Sequence, residues 1–122
     1  MTISGADFTF NLDPADAHIY VVDSGPAIGT GQVFGYAVGS GGVIGSAITG
    51  TPVPTGPTPL GGIIIDPTGA LKAVDNSDPT SSTNPDSSIS LYLIGSNGLL
   101  TSETPVAAGT APSCYVTFYN AP

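Results

Sequence analysis

Histidine occurs once in the chain, at His18. It is the side chain best suited to proton transfer near neutral pH, and such chemistry needs an orienting acid and a nucleophile. Asp16 is the nearest acid in sequence, two positions away across a turn. The plainer reading of His18 is a turn or surface histidine. A second grouping lies further on, where Asp75, Asp78 and Asp86 share a polar segment with Asn76 and Asn84. Carboxylates and amides are the hard oxygen ligands that calcium takes. The spacing is not that of an EF-hand loop, and the plainer reading is a solvated loop rich in Asx turns. Asp13, Asp16 and Asp23 form a weaker cluster of the same kind. Calcium is the only cofactor these residues suggest.

Other chemistries find less support. Cys114 is the single cysteine, which excludes an intrachain disulfide, and its apolar surroundings in sequence point to a buried thiol. The glycine runs are not followed by Lys-Ser/Thr or by a helix, so they are not phosphate loops. No serine sits in a Gly-x-Ser-x-Gly elbow. The five tyrosines read first as packing residues with hydroxyls at a rim. A platform for stacking sugars is the alternative.

The elements that must position these residues are strands. Residues 8–12 alternate, with Phe8, Phe10 and Leu12 on one face. Further strands are expected at 18–22, 32–38 and, more weakly, 43–48, before a Pro/Thr/Gly linker that ends at Pro59. The pattern then restarts. Residues 63–65 are Ile-Ile-Ile, and Asp66-Pro67-Thr68-Gly69 has Asp, Pro and Gly at the positions that tight turns favour. Residues 70–74 and 88–94 follow as strands.

Asp66-Pro67 repeats Asp13-Pro14 at a displacement of 53 residues, Val74 repeats Val21, and Tyr92 repeats Tyr36 at 56. The period is therefore about 53 residues, with four short strands in each unit. Residues 113–122 open a third unit that does not continue. With 17 Gly and 12 Pro, helix is nearly excluded. The expectation is an all-β chain of propeller-like, four-stranded antiparallel blades: residues 1–59, residues 60–112, and one additional strand. Asp13, Pro14, Asp66, Pro67 and Gly69 are expected to be structural turn residues.

Composition narrows the partners. Lys72 is the only Lys or Arg against nine acids, a net charge of −8. This balance argues against nucleic acid and against anionic membrane surfaces as partners. The longest apolar stretches are too short to span a bilayer. No basic region followed by an apolar core opens the chain, so no signal peptide is read. The Lys-poor, Ser/Thr/Gly-rich composition leans toward an extracellular setting.

The stretches IIIDPTG (63–69), AVDN (73–76), SISLYLI (88–94), NGLL (97–100) and PVAAGTAP (105–112) resemble the blade repeat of the lactonase-type seven-bladed propellers, the 6-phosphogluconolactonase-like family. The first unit matches in LDP (12–14), IYVVD (19–23) and VFGYAV (33–38). The resemblance spans residues 8–120 and would cover about a third of a family member. It implies blade architecture. The family's enzymes bind acidic substrates with Arg and His side chains around a central channel, and this chain has no Arg.

Two blades and a strand do not close a ring. The leading expectation is a structural or protein-interaction module that assembles with copies of itself, or with a larger propeller chain, through open strand edges. The alternatives are a fragment of a hydrolase acting on sugar lactones, and a carbohydrate- or calcium-binding module.

Overall fold

Runs rich in Val, Ile, Tyr and Phe, broken by Asp-Pro and Gly turns, become strands throughout the computed structural model, which describes residues 8–25, 30–55, 59–76 and 88–108. The first sheet contains β1 (Phe8–Leu12), β2 (His18–Asp23), β3 (Gln32–Val38), β4 (Ile44–Ala47) and β5 (Val53–Pro54). The second contains β6 (Pro59–Ile65), β7 (Leu71–Asn76), β8 (Ser88–Ile94), β9 (Leu100–Ser102) and β10 (Val106–Ala107). The architecture is all-β, with two blade-like antiparallel sheets. The expected third unit, residues 113–122, lies outside the described residues, as does Cys114.

The sheets have the same topology. In the first, β1, β2, β3 and β4 are neighbours in that order, and β5 also pairs with β3. In the second, β6, β7 and β8 follow one another, and β9 and β10 both pair with β8. Each unit thus holds five strands rather than four. The fifth, two residues long, comes from the stretch read as a linker in the first unit. Val33 faces Val53 in one sheet, and Ile89 faces Val106 in the other.

The turns repeat bond for bond. Asp13 and Asp66 open equivalent turns: the N–H of Asp16 donates to the Asp13 carbonyl at 2.9 Å, and that of Gly69 to the Asp66 carbonyl at 2.8 Å. The residue at this step has positive φ in both, 54° at Asp16 and 74° at Gly69. The Asp13 carboxylate accepts the Ala17 N–H, and the Asp66 carboxylate accepts the Ala70 N–H. Both aspartates therefore cap their own turns. The Gly39 N–H reaches the Val43 carbonyl at 2.8 Å, and the Gly95 N–H reaches the Leu99 carbonyl at 2.9 Å.

The core lies between the sheets. Tyr20, Val22, Val33 and Ile48 come from the first, and Ile63, Val74, Tyr92 and Leu100 from the second. Because paired residues share a face, register assigns the other face of each sheet as well. In the first sheet, Phe10 pairs Val21, which pairs Phe34, and Leu12 pairs Ile19, which pairs Tyr36. These residues point away from the core. In the second sheet, Ile64, Ala73 and Leu91 form the corresponding outward row.

This gives the packing a direction. Ile63, Val74 and Tyr92, which face the first sheet, repeat Phe10, Val21 and Tyr36, which face away from the second. The sheets are therefore stacked head to tail, each turned the same way. A hydrogen bond from Asn11 Nδ2 to the Ile63 carbonyl at 3.2 Å joins β1 to β6.

Candidate functional site

Two features have the geometry of a site: the end of the inter-sheet seam at His18, and the outward face of the first sheet.

At the seam, β2 begins with His18 just after the Asp13 turn. Asp13 is 7% exposed, and its two carboxylate oxygens divide the work. Oδ1 accepts the N–H groups of Ala17 at 2.7 Å and His18 at 3.2 Å. Oδ2 lies 2.7 Å from Nδ1 of the His18 ring. An ionised carboxylate has no hydrogen to give, so Nδ1 is the donor and Nε2 faces the second sheet. Burial alone would raise the Asp13 pKa. The hydrogen bonds from the His18 ring and the two N–H groups outweigh it and hold the carboxyl below its ordinary value of 3.8.

The His18 ring packs against Gly98 in the turn before β9. A methyl group on Gly98 would stand 2.6 Å from His18 Cδ2 and 2.8 Å from Nε2. Beside the ring, the Tyr20 hydroxyl donates to the Gly98 carbonyl at 2.8 Å. The two ring centroids are 6.3 Å apart. Burial first, and the charge of Asp13 second, push the Tyr20 phenol up to about 12. A cleft of about 500 Å³ opens next to this group, lined in part by Asp13, His18, Thr68 and Ser96.

Asp16 is the acid nearest His18 in sequence, a closeness that by itself fixes no contact. The structure uses Asp13, because the turn folds the side chain of its first residue back over the N–H groups that follow it. In the second unit the same position, Asp66, spends its second oxygen on Thr68 Oγ1 at 2.6 Å. The pairing of Asp13 with the imidazole is thus a use of a turn cap that both units possess. Among the described residues, no hydroxyl is hydrogen-bonded to Nε2, so the group is an oriented histidine with no assembled nucleophile.

Of the proposed calcium ligands, Asp78 and Asp86 lie outside the described residues. Asp75 falls within β7, near its end, and not in a loop. Among the described residues, no group of three or more His, Cys, Asp or Glu could hold a metal ion. The buried residue at this end of the sheet is Asn76, whose Nδ2 donates to Ser90 Oγ at 2.7 Å. Among the described residues, no helix is long and apolar enough to cross a membrane.

The outward face of the first sheet is apolar along its whole length: Phe10, Leu12, Ile19, Val21, Phe34, Tyr36, Val38 and Ile44. Phe10 is 63% exposed and Ile44 54%. Their counterparts in the second sheet, Ile63 and Leu100, are 5% and 4% exposed. Sequence reasoning identified the strands but not this contrast, because periodicity gives the two faces of a strand without saying which one is covered. Comparison with known proteins adds no relative: no family model, no curated protein and no solved structure matches this chain.

Proposed function

We infer that the protein is a structural or protein-interaction module, one that completes its fold by covering a sheet face against another β surface. The observation that carries this reading is the apolar outward face of the first sheet, where Phe10, Leu12 and Ile44 are exposed and which repeats much of the face that the second sheet buries. Fully burying a Phe, Leu or Ile side chain contributes about 1.5–3 kcal/mol. Several such side chains exposed on one face are a common mark of an interaction surface. The low charge of the chain supports the same reading, since Ser, Thr and Gly can enter an interface without the cost of burying an unpaired charge.

The test is native mass as a function of concentration and salt. The reading expects association, strengthened by moderate salt because the net charge of −8 repels copies and salt screens it. A monomer at every concentration and salt level overturns it.

The second reading, a hydrolase fragment acting on sugar lactones, is favoured by the Asp13–His18 pair beside an open cleft and by the blade-like resemblance. Lactone hydrolysis above background, lost in His18→Ala, would support it. Equal rates with and without the protein would exclude it.

A further inference from the structure

We propose that copies of this chain stack head to tail, the outward face of the first sheet of one copy seating on the outward face of the second sheet of the next. This rests on the functional reading above and names its partner and both surfaces. The two outward faces are the repeat equivalents of the two faces already mated inside each molecule. Phe10, Leu12, Tyr36 and Ile44 stand where Ile63, Ile65, Tyr92 and Leu100 stand. Ile89 and Val106 stand where Val33 and Val53 stand. A second copy placed by the same step that relates the two sheets therefore continues the existing interface.

Polar detail follows the same pattern. Inside the molecule the Tyr92 hydroxyl donates to the Pro54 carbonyl of β5 at 2.8 Å. The counterpart of Tyr92 is Tyr36, and the counterpart of Pro54 is Ala107 of β10, an exposed residue. Tyr36 of one copy thus has a ready acceptor on the next. A hollow of about 510 Å³, lined in part by Leu12, Ile19, Val38 and Ile44, lies on the outward face. Leu93 and Val106 are 48% and 52% exposed on the opposite face.

The two contacts are not equal. Tyr20 and Ile48, which the first sheet contributes to the internal core, correspond to Ala73 and Glu103. The joint between copies therefore lacks one large aromatic ring and has an acid at one apolar position. It is weaker than the internal joint, and association depends on concentration. A contact between two different faces is heterologous, so it does not stop at two copies unless a ring closes.

The experiment uses sedimentation of the whole chain and of two variants, Phe10→Lys and Leu93→Lys, at exposed positions on opposite faces. Wild type is expected to grow past the dimer as concentration rises. Each variant alone is expected to remain monomeric at tenfold higher concentration. Mixed in equal amounts, the two should form a species of two chains and no larger, because each keeps the face the other lost. Ile44→Lys repeats the test of the first face, and circular dichroism checks that each variant is folded. Wild type that never associates overturns the functional reading itself. Association that survives Leu93→Lys, or a mixture that stays monomeric while wild type associates, overturns the head-to-tail arrangement alone.

Discussion

Tyr36 and Tyr92 occupy matching positions in β3 and β8, yet only Tyr92 is fully buried, at 1% exposure, with its hydroxyl on the Pro54 carbonyl. The difference between them is the difference between a mated and an unmated sheet face. Tyr92→Phe removes a hydrogen bond that spans the sheets and should cost about 1 kcal/mol in urea unfolding of the monomer. Tyr36→Phe should leave the dilute monomer within about 0.5 kcal/mol of wild type, as substitutions away from buried contacts do. Equal losses at the two positions would contradict the assignment of faces.

Gly98 is fixed by two separate demands. Its φ of 77° suits glycine, and an added methyl would meet the His18 ring and Ile48 Cδ1, the latter at 2.8 Å. Gly98→Ala should therefore destabilise the chain by about 1–3 kcal/mol, the usual cost of overpacking, with the positive φ adding to it. Gly42, its counterpart in the first sheet, has the same φ but no atoms near the added methyl. Gly42→Ala should carry the backbone cost alone. Comparing the two variants by thermal unfolding separates the steric part from the conformational part.

Asp13 ties stability to acid. Its carboxyl is held below 3.8 in the folded chain, so the unfolded state takes up protons first as pH falls. The stabilisation is fully present above about pH 3.8 and is lost as pH drops through the lower folded value. Asp13→Asn removes the charge that the His18 ring and two N–H groups engage. It should cost about 1.5–3 kcal/mol at neutral pH, the range for hydrogen bonds to a charged group. Plotting melting temperature against pH for both proteins is the check. The gap should narrow at the acid end, and a gap that stays constant would mean that the pair contributes nothing through its charge.

These residues also show how far the chain could be read before folding. The strands were legible because alternation and β-branched runs mark them, and the Asp-Pro turns were legible because Asp and Pro are favoured at the first two positions of tight turns. The fifth strand of each unit was not, because Val53–Pro54 and Val106–Ala107 are two residues long and lie in segments rich in Pro, Thr and Ala. Asp16 was named beside His18 on sequence distance alone, whereas the turn sends Asp16 outward and brings Asp13 back. The head-to-tail direction of the stack was hidden for a deeper reason. A repeat fixes which residues are equivalent, and only packing fixes which of two equivalent faces is covered.

Tyr20 supplies the alkaline counterpart of Asp13. Its phenol is pushed up to about 12 from an ordinary 10.0, by burial and then by the nearby Asp13 charge. A phenol whose folded value is raised favours folding while it stays protonated. That contribution is whole below about pH 10 and disappears as pH rises through about 12. Phenolate absorbance should therefore show Tyr20 ionising late, in step with loss of the fold. Tyr20→Phe should remove that late step and, by leaving the Gly98 carbonyl without its donor, cost about 1 kcal/mol at neutral pH. A variant that keeps the same late ionisation would place the buried phenol elsewhere. The natural second candidate is Tyr92, whose pKa is also raised by burial, against a lowering hydrogen bond with Ser90.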